Sequence, residues 1–126
     1  MGKIGTPMRA AYAAAKHALH GYFDCLRAEV SPEGIQVTIL TPGYIRTPIY
    51  QSTILGDGSR YGASSEQIDG GFSAEKAAEQ IVKAIKKGAF EAYIGKFAGE
   101  ERLALFVNRV WPGLLIRLIP KMGAPK

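Results

Sequence analysis

Alanine and leucine recur between Arg9 and Val30 and predict a long helix in this part of the chain. Thr6 and Pro7 offer a hydroxyl N-cap followed by a proline, which suits the first turn of a helix. We therefore expect the helix to begin at Thr6 and Pro7 and to end at Ser31-Pro32-Glu33-Gly34, where proline and glycine stop it. Its many alanines leave room for close packing against a sheet or another helix.

A change to β-branched and apolar residues follows the helix. The run Ile35–Leu40 predicts a strand buried in a parallel sheet, and Thr41-Pro42-Gly43 ends it. Residues 44–72 are rich in Gly, Ser, Thr and Asp, which predicts a long irregular loop. Ser73 is expected to cap a second helix over residues 74–87.

The last third of the sequence contains a short strand pattern and then an apolar segment. Phe90–Ile94 predicts the second strand. Residues 103–119 are mostly apolar but contain two arginines, so the segment is too short and too polar to span a bilayer. We expect a helix broken near Pro112 that packs over a pocket or a partner. The alternative is an interfacial helix that lies on a membrane surface.

The predicted order of helix, strand, helix, strand and helix is that of an α/β protein. Two strands cannot form a stable sheet with both faces covered. We therefore expect the carboxyl-terminal part of a Rossmann-like doubly wound parallel sheet, a fragment whose first half is missing. At 126 residues the chain fits one domain, so residues 1–126 are assigned to this partial domain.

Composition narrows the class of function. The net charge is +5, but the basic residues are scattered and lack the aromatic interleaving of a nucleic-acid surface, so no nucleic-acid partner is expected. The single cysteine, Cys25, excludes an internal disulfide, and we expect it to be a small buried residue in a reducing compartment. His17 and His20 lack neighbouring ligand residues at metal-site spacing, so we expect helix-surface histidines and no metal.

The segment after Met1 lacks an apolar run of signal-peptide length, so we expect a cytoplasmic protein. Membrane association through residues 103–119 is the alternative location.

Tyr12 and Lys16 are the first candidate for chemistry. They lie one helical turn apart, so their side chains share a face. A cation close to a phenol favours its charged form, which makes tyrosine a usable proton donor and acceptor for alcohol–carbonyl interconversion. Exposed Tyr–Lys pairs also occur as helix surface residues, and the spacing alone leaves both interpretations open.

A second candidate follows the buried strand. In open α/β sheets, ligands bind beyond the carboxyl ends of the strands. Pro42 and Gly43 form a turn there that lets the backbone approach a ligand closely, and the Thr47 hydroxyl is placed to hydrogen-bond an amide. A Pro-Gly pair alone is only a turn signal.

Together these motifs resemble the short-chain dehydrogenase/reductase family. The matching positions are Tyr12-Ala13-Ala14-Ala15-Lys16, Ala18 and Gly21 in the same helix, Leu26-Arg27-Ala28-Glu29, Ile35–Leu40, and Pro42-Gly43 with Thr47. The resemblance covers residues 2 to about 95 well and the tail loosely. Asp24–Val30 and Gly56–Gly62 are most similar to the hydroxysteroid-dehydrogenase-like branch, which interconverts hydrophobic carbonyls and alcohols.

The resemblance implies an oxidoreductase that uses NAD or NADP. Tyr12 would be the catalytic acid/base, and Lys16 would hold the nicotinamide ribose hydroxyls and favour the charged tyrosine. Pro42 and Gly43, Thr47 and the backbone around Ile45 would fix the nicotinamide carboxamide. The loop at 44–72 would close over a hydrophobic alcohol or carbonyl substrate, and the Tyr12 helix would pack against its copy in a homo-oligomer.

The resemblance also indicates what is missing. The glycine-rich turn that receives the pyrophosphate is absent, and the family's catalytic serine would stand just before Met1. We expect Met1 to fall inside a continuous domain, as in a truncated gene model or a fragment. This chain alone should then be inactive and prone to aggregate through unpaired strands. The alternative is a non-enzymatic remnant that binds a partner chain or a membrane surface through its helices.

Overall fold

The computed structural model describes residues 2–62, 66–96 and 99–121. Its helices are α1 (Ala10–Val30), α2 (Glu66–Asp69), α3 (Ala74–Lys86), α4 (Glu100–Val110) and α5 (Pro112–Leu118). Its strands are β1 (Ile39–Pro42) and β2 (Glu91–Ile94). The chain divides into two compact units, one comprising Met1–Ile39 with Phe97–Lys126 and the other Leu40–Lys96.

Helix α1 begins later than predicted. Its N-cap is Arg9, whose side chain makes no capping hydrogen bond, and the prediction of an N-cap at Thr6 and Pro7 is wrong. The reason is the backbone of Met8, whose φ of 62° cannot continue a right-handed helix. The predicted end is confirmed, since a 3-10 turn over Ser31–Glu33 follows α1 and Gly34 adopts a left-handed φ of 74°.

The first strand also begins later than predicted. Residues 35–38 belong to no strand, and Ile35 is 51% exposed, so the predicted strand at 35–40 is wrong in its first four residues. The Val37 carbonyl accepts a hydrogen bond of 3.2 Å from Arg27 Nε on α1. Because a side chain takes this carbonyl, Val37 is tied to the helix, and pairing starts only at Ile39.

Strands β1 and β2 form a small parallel sheet. Gly43 N–H, just beyond β1, donates to Ile94 O at 2.9 Å, and the Thr41 hydroxyl donates to Glu91 Oε1 at 3.2 Å. The earlier position, Thr41, contacts the start of β2, and the later position, Gly43, contacts its end, so the two strands run in the same direction. The predicted second strand at 90–94 is therefore confirmed to within one residue.

Helix α3 connects the two strands and follows its capping signals. Ser73 Oγ accepts from Lys76 N–H at 3.2 Å, so the predicted cap is confirmed. The backbone N–H of Glu75 and the Ser73 hydroxyl both hydrogen-bond the Glu75 carboxylate and hold its pKa below the ordinary value. Farther along, the Gln80 amide bonds both backbone groups of Gly95, which fixes α3 against the end of β2.

The apolar carboxyl-terminal segment forms two helices, α4 and α5, separated at Trp111. The predicted break near Pro112 is confirmed, because Pro112 begins α5 where its missing N–H costs nothing. Asn108 Nδ2 donates to Lys3 O at 3.1 Å, and Leu115 is buried. Of the helices within the described residues, none has the length and apolar character that a membrane crossing requires.

Residues 44–72 contain more order than an irregular loop. A 3-10 turn covers Pro48–Ser52, and α2 covers Glu66–Asp69. Ile54 and Arg60 form an isolated antiparallel bridge around a turn in which Gly58 has a φ of 84°. Hydrogen bonds from the Ser59 hydroxyl and N–H lower the pKa of Asp57 at this turn. Residues 63–65 of the predicted loop lie outside the described residues.

The core of the described residues is small. Its buried hydrophobic side chains are Ala13, Ile68, Ala77, Ile94 and Leu115. Cys25 is exposed, so the expectation of a buried cysteine is wrong. Most of α1 around Cys25 is accessible, and only Ala13 of that helix is buried, because little else in the described residues packs against it.

Candidate active site

Helix α1 presents Tyr12 and Lys16 together on an exposed face. Lys16 Nζ lies 5.5 Å from the centroid of the Tyr12 ring, and the Tyr12 side chain is 53% exposed. The one-turn spacing produces this contact directly, as the sequence predicts. At this distance the ammonium interacts with the ring, and the phenol remains accessible to a reacting group.

His17 and His20 have structural contacts on the same helix. The Nδ1 atom of His17 lies 2.8 Å from Ala13 O, one turn back along α1. A Cβ built on Gly2 would lie 3.1 Å from His20 Nε2, so the chain before the helix passes close to this histidine. Among the described residues, no group of three or more His, Cys, Asp or Glu side chains is placed to hold a metal ion.

The carboxyl-terminal helices contribute one residue to this region that the sequence did not reveal. Asn108 of α4 holds the carbonyl of Lys3, in the segment that leads into α1 and to Tyr12. The signal was present, since Asn108 is an uncharged amide inside a mostly apolar segment. Polar residues in such segments are usually hydrogen-bonded, but the sequence does not show to what.

In the other unit, the chain after β1 is held by backbone hydrogen bonds. The Tyr44 carbonyl accepts from Phe72 N–H at 2.7 Å, and Arg46 N–H donates to Phe72 O at 2.9 Å. These two bonds make the isolated parallel bridge between Ile45 and Phe72. Because neighbouring backbone groups point in opposite directions in such a bridge, the N–H and C=O of Ile45 point away from Phe72.

Gly71 makes this arrangement possible and was missed by the sequence reasoning. A Cβ at this position would lie 2.9 Å from both Tyr44 O and Arg46 N, and 2.7 Å from Ile68 O. Only glycine therefore allows the chain before Ser73 to lie against the turn that follows β1. The Gly70-Gly71 pair, one residue before the helix cap at Ser73, is the sequence signal that marks such a close approach.

The structure thus groups the predicted residues into two sets. Tyr12 and Lys16 lie together on α1. Pro42 ends β1 and Gly43, Ile45 and Thr47 follow it, and both Pro42 and Thr47 are exposed. The first set offers an ammonium and a phenol, and the second offers backbone groups and a hydroxyl.

Parallel strands joined through a helix, with a tyrosine–lysine pair on the preceding helix, define an α/β protein with a candidate acid/base site. A family model described as short chain dehydrogenase matches residues 1–56. Residues 1–56 are thus similar to the short-chain dehydrogenase/reductase family, and the relatives described next support the same family.

Curated relatives match nearly the whole chain. Dehydrogenase/reductase SDR family member 7B of Danio rerio is 40% identical over 121 residues, which are 94% of this chain and 38% of that protein. The Mus musculus protein of the same name is 38% identical over 118 residues, 94% of this chain and 36% of its own length. Dehydrogenase/reductase SDR family protein 7-like of Drosophila melanogaster is 35% identical over 120 residues, 95% of this chain and 36% of its own length. No solved structure matches the chain significantly.

The chain covers only part of each relative, but the segment that the family model matches contains the predicted site. The chain spans little more than a third of the length of these relatives, between 36% and 38%. The family model at residues 1–56 includes every predicted site position, from Tyr12 to Thr47.

Proposed function

We propose that this chain supplies the acid/base and nicotinamide-contacting segment of an NAD(P)-dependent dehydrogenase/reductase that acts on a hydrophobic alcohol or carbonyl. The observation that carries the proposal is the exposed Tyr12 with the Lys16 ammonium 5.5 Å from its ring centroid. The relatives, whose names describe dehydrogenases/reductases, support the same reaction class.

In this proposal, Tyr12 Oη moves the proton of the reaction. When a carbonyl is reduced, the Tyr12 phenol donates a proton to the carbonyl oxygen as the carbonyl carbon accepts a hydride. When an alcohol is oxidised, the phenolate takes the hydroxyl proton as the hydride leaves the carbon. A bound nicotinamide supplies or accepts that hydride. Tyr12 is suited to this role because its side chain is accessible and lies beside a cation.

Each set, taken by itself, carries groups that suit one part of a nicotinamide nucleoside. The Lys16 ammonium has three donors for ribose hydroxyls. The backbone groups of Ile45, which point away from Phe72, and the exposed Thr47 hydroxyl suit the carboxamide, which both donates and accepts hydrogen bonds. Close packing at Gly71 holds the Ile45 backbone in place. The pyrophosphate is assigned to polypeptide outside the described residues, so this chain alone is proposed to be inactive.

The test uses a chimera in which this chain replaces the aligned segment of the Danio rerio relative. A panel of hydrophobic ketones and alcohols is assayed by nicotinamide absorbance with NADH, NADPH, NAD and NADP. Tyr12→Phe should lower turnover by roughly 100-fold or more, the usual contribution of a general acid/base. Tyr22→Phe, which removes an exposed hydroxyl from the same helix, is the matched control and should leave turnover unchanged.

Two results would contradict the proposal. The first is equal turnover in the Tyr12→Phe and Tyr22→Phe chimeras. The second is an unmodified chimera that binds the nicotinamide cofactor but turns over no member of the panel. Replacement of Lys16 by an uncharged residue should raise the KM for the nicotinamide cofactor. Lys16→Arg should raise this KM less, because it keeps the positive charge.

A partner-binding role is the second candidate, and the exposed surface of α1 favours it. Leu19 and Tyr22 are large apolar side chains that remain exposed on the helix that carries Tyr12. The corresponding proposal is a homo-oligomer, or in a non-enzymatic remnant another partner chain, that covers this helix. Sedimentation of the wild-type chain and of Tyr22→Ser distinguishes the cases. A concentration-dependent dimer that the substitution weakens supports the homo-oligomer, and a monomer at all concentrations contradicts it.

A further inference from the structure

Gln80 of α3 uses both ends of its side-chain amide on one residue, Gly95. Its Nε2 atom donates to Gly95 O at 3.2 Å, and its Oε1 atom accepts from Gly95 N–H at 3.0 Å. Gly95 is buried directly after β2, and buried backbone groups are nearly always hydrogen-bonded. One half-buried side chain of α3 thus binds both backbone groups of Gly95, which fixes the chain where β2 ends.

The two neighbours of Gly95 contact the segments on either side of the turn that follows β1. Ile94, which is only 2% exposed, accepts at its carbonyl from Gly43 N–H at 2.9 Å. Lys96 Nζ donates to Gly70 O at 2.8 Å. The residue that α3 fixes therefore stands between two contacts, one to the chain just beyond β1 and one to the chain that leads into α3.

The chain that leads into α3 packs in turn against the backbone of residues 44–46. A Cβ at Gly71 would lie 2.9 Å from backbone atoms on both sides of Ile45, so the two segments are in close contact. Phe72 makes the two backbone hydrogen bonds on either side of Ile45 and leaves the Ile45 N–H and C=O pointing away. The orientation of these two groups therefore depends on the position of the chain around Gly95.

We propose that Gln80 is a positioning residue for nicotinamide binding and acts through Gly95 on the backbone of Ile45. The proposal rests on the function proposed above, in which the Ile45 backbone binds the carboxamide. Hydrogen bonds weaken steeply as their angle departs from linearity, so a small rotation of this turn would reduce the affinity for the carboxamide. The loss should be confined to the nicotinamide end of the cofactor.

Two ligands separate the nicotinamide from the rest of the cofactor. NADH and ADP-ribose share the adenosine, the pyrophosphate and the second ribose, and only NADH carries the nicotinamide ring. Their dissociation constants are measured by calorimetry with the chimera described above, or those of NADPH and 2′-phospho-ADP-ribose if the chimera prefers the phosphorylated cofactor. Gln80→Leu keeps a side chain of similar size without the amide. It should weaken NADH binding roughly fivefold and ADP-ribose binding less than about twofold.

Glu79→Leu is the matched control, because Glu79 is exposed on the same helix and receives the same new side chain. It should leave both dissociation constants unchanged. A general loss of stability would weaken the binding of both ligands to the same extent. An equal change for NADH and ADP-ribose in Gln80→Leu, or no change for either, would therefore overturn the positioning role.

Amide hydrogen exchange in the full 126-residue chain tests the same link without a ligand. Gln80→Leu should speed the exchange of Gly43 N–H and Arg46 N–H, whereas Glu79→Leu should not. Unchanged exchange at both amides would refute the link between Gln80 and the turn. Failure of the proposed function gives a different result. An unmodified chimera that binds NADH no more tightly than ADP-ribose would contradict the nicotinamide contact on which both proposals rest, even if the exchange responds.

Discussion

Replacement of Gly71 by alanine tests how the turn after β1 is held. The added Cβ would lie within 3.0 Å of three backbone atoms, Ile68 O, Tyr44 O and Arg46 N. Backbone atoms cannot rotate away as the end of a side chain can. The φ of Gly71 lies outside the left-handed range, so any effect of the substitution comes from crowding and not from the backbone conformation.

The magnitude follows from the two ways in which the chain can respond. If it keeps its position, the crowding costs about 1–3 kcal/mol, as in overpacked interiors. If the turn moves away, it loses the two hydrogen bonds between Phe72 and its partners Tyr44 and Arg46, each worth about 0.5–1.5 kcal/mol. Alanine also restricts the unfolded chain, which raises the free energy of unfolding by about 0.4–1 kcal/mol. A net loss of roughly 1–2 kcal/mol of unfolding free energy is expected.

Urea unfolding followed by circular dichroism measures this loss, with two glycines as controls. A Cβ at Gly70 would lie 3.2 Å from Glu66 O, a milder contact that a small shift relieves. A Cβ at Gly21 of α1 would meet nothing within 4 Å, so Gly21→Ala should stabilise the helix by up to about 1 kcal/mol. Equal stability of Gly71→Ala and Gly70→Ala would refute the view that Gly71 is required by close packing.

Two further substitutions test hydrogen bonds that position the functional elements. Ser73→Ala removes the cap of α3 and should lower the free energy of unfolding by about 1 kcal/mol, measured by urea unfolding at neutral pH. Ser73→Asp should keep most of the stability that the cap provides. The pKa of Glu75 is lowered in the folded chain, so ionised Glu75 stabilises the fold. This stabilisation is present above the pKa of the unfolded chain and is lost as the pH falls through the pKa of the folded chain. The Ser73→Ala penalty should therefore shrink in acid, and a pH-independent penalty would contradict this link. Asn108→Ala removes a partly buried hydrogen bond to Lys3 O and should cost about 1 kcal/mol. Faster amide exchange in residues 3–8 should accompany that loss, and unchanged exchange would show that α4 does not order this segment.

The elements predicted correctly are those with local signals. Ser73 caps α3 because its own hydroxyl reaches Lys76 N–H three residues later. The break at Pro112 and the end of α1 before Gly34 depend only on missing donors and on permitted backbone angles. The Tyr12–Lys16 contact is equally local, because one turn of helix brings the two side chains together.

Most of the features that were missed depend on residues distant in the sequence, and the exception is the start of α1, which the backbone of Met8 sets locally. The start of β1 is set by Arg27, which takes the Val37 carbonyl from ten positions away. The bridge between Ile45 and Phe72 joins the two ends of the segment that was predicted to be a loop. The exposure of Cys25 depends on what packs against α1, which helix propensity does not report. The sequence pattern therefore predicts candidate site residues but does not predict the contacts that hold their backbone.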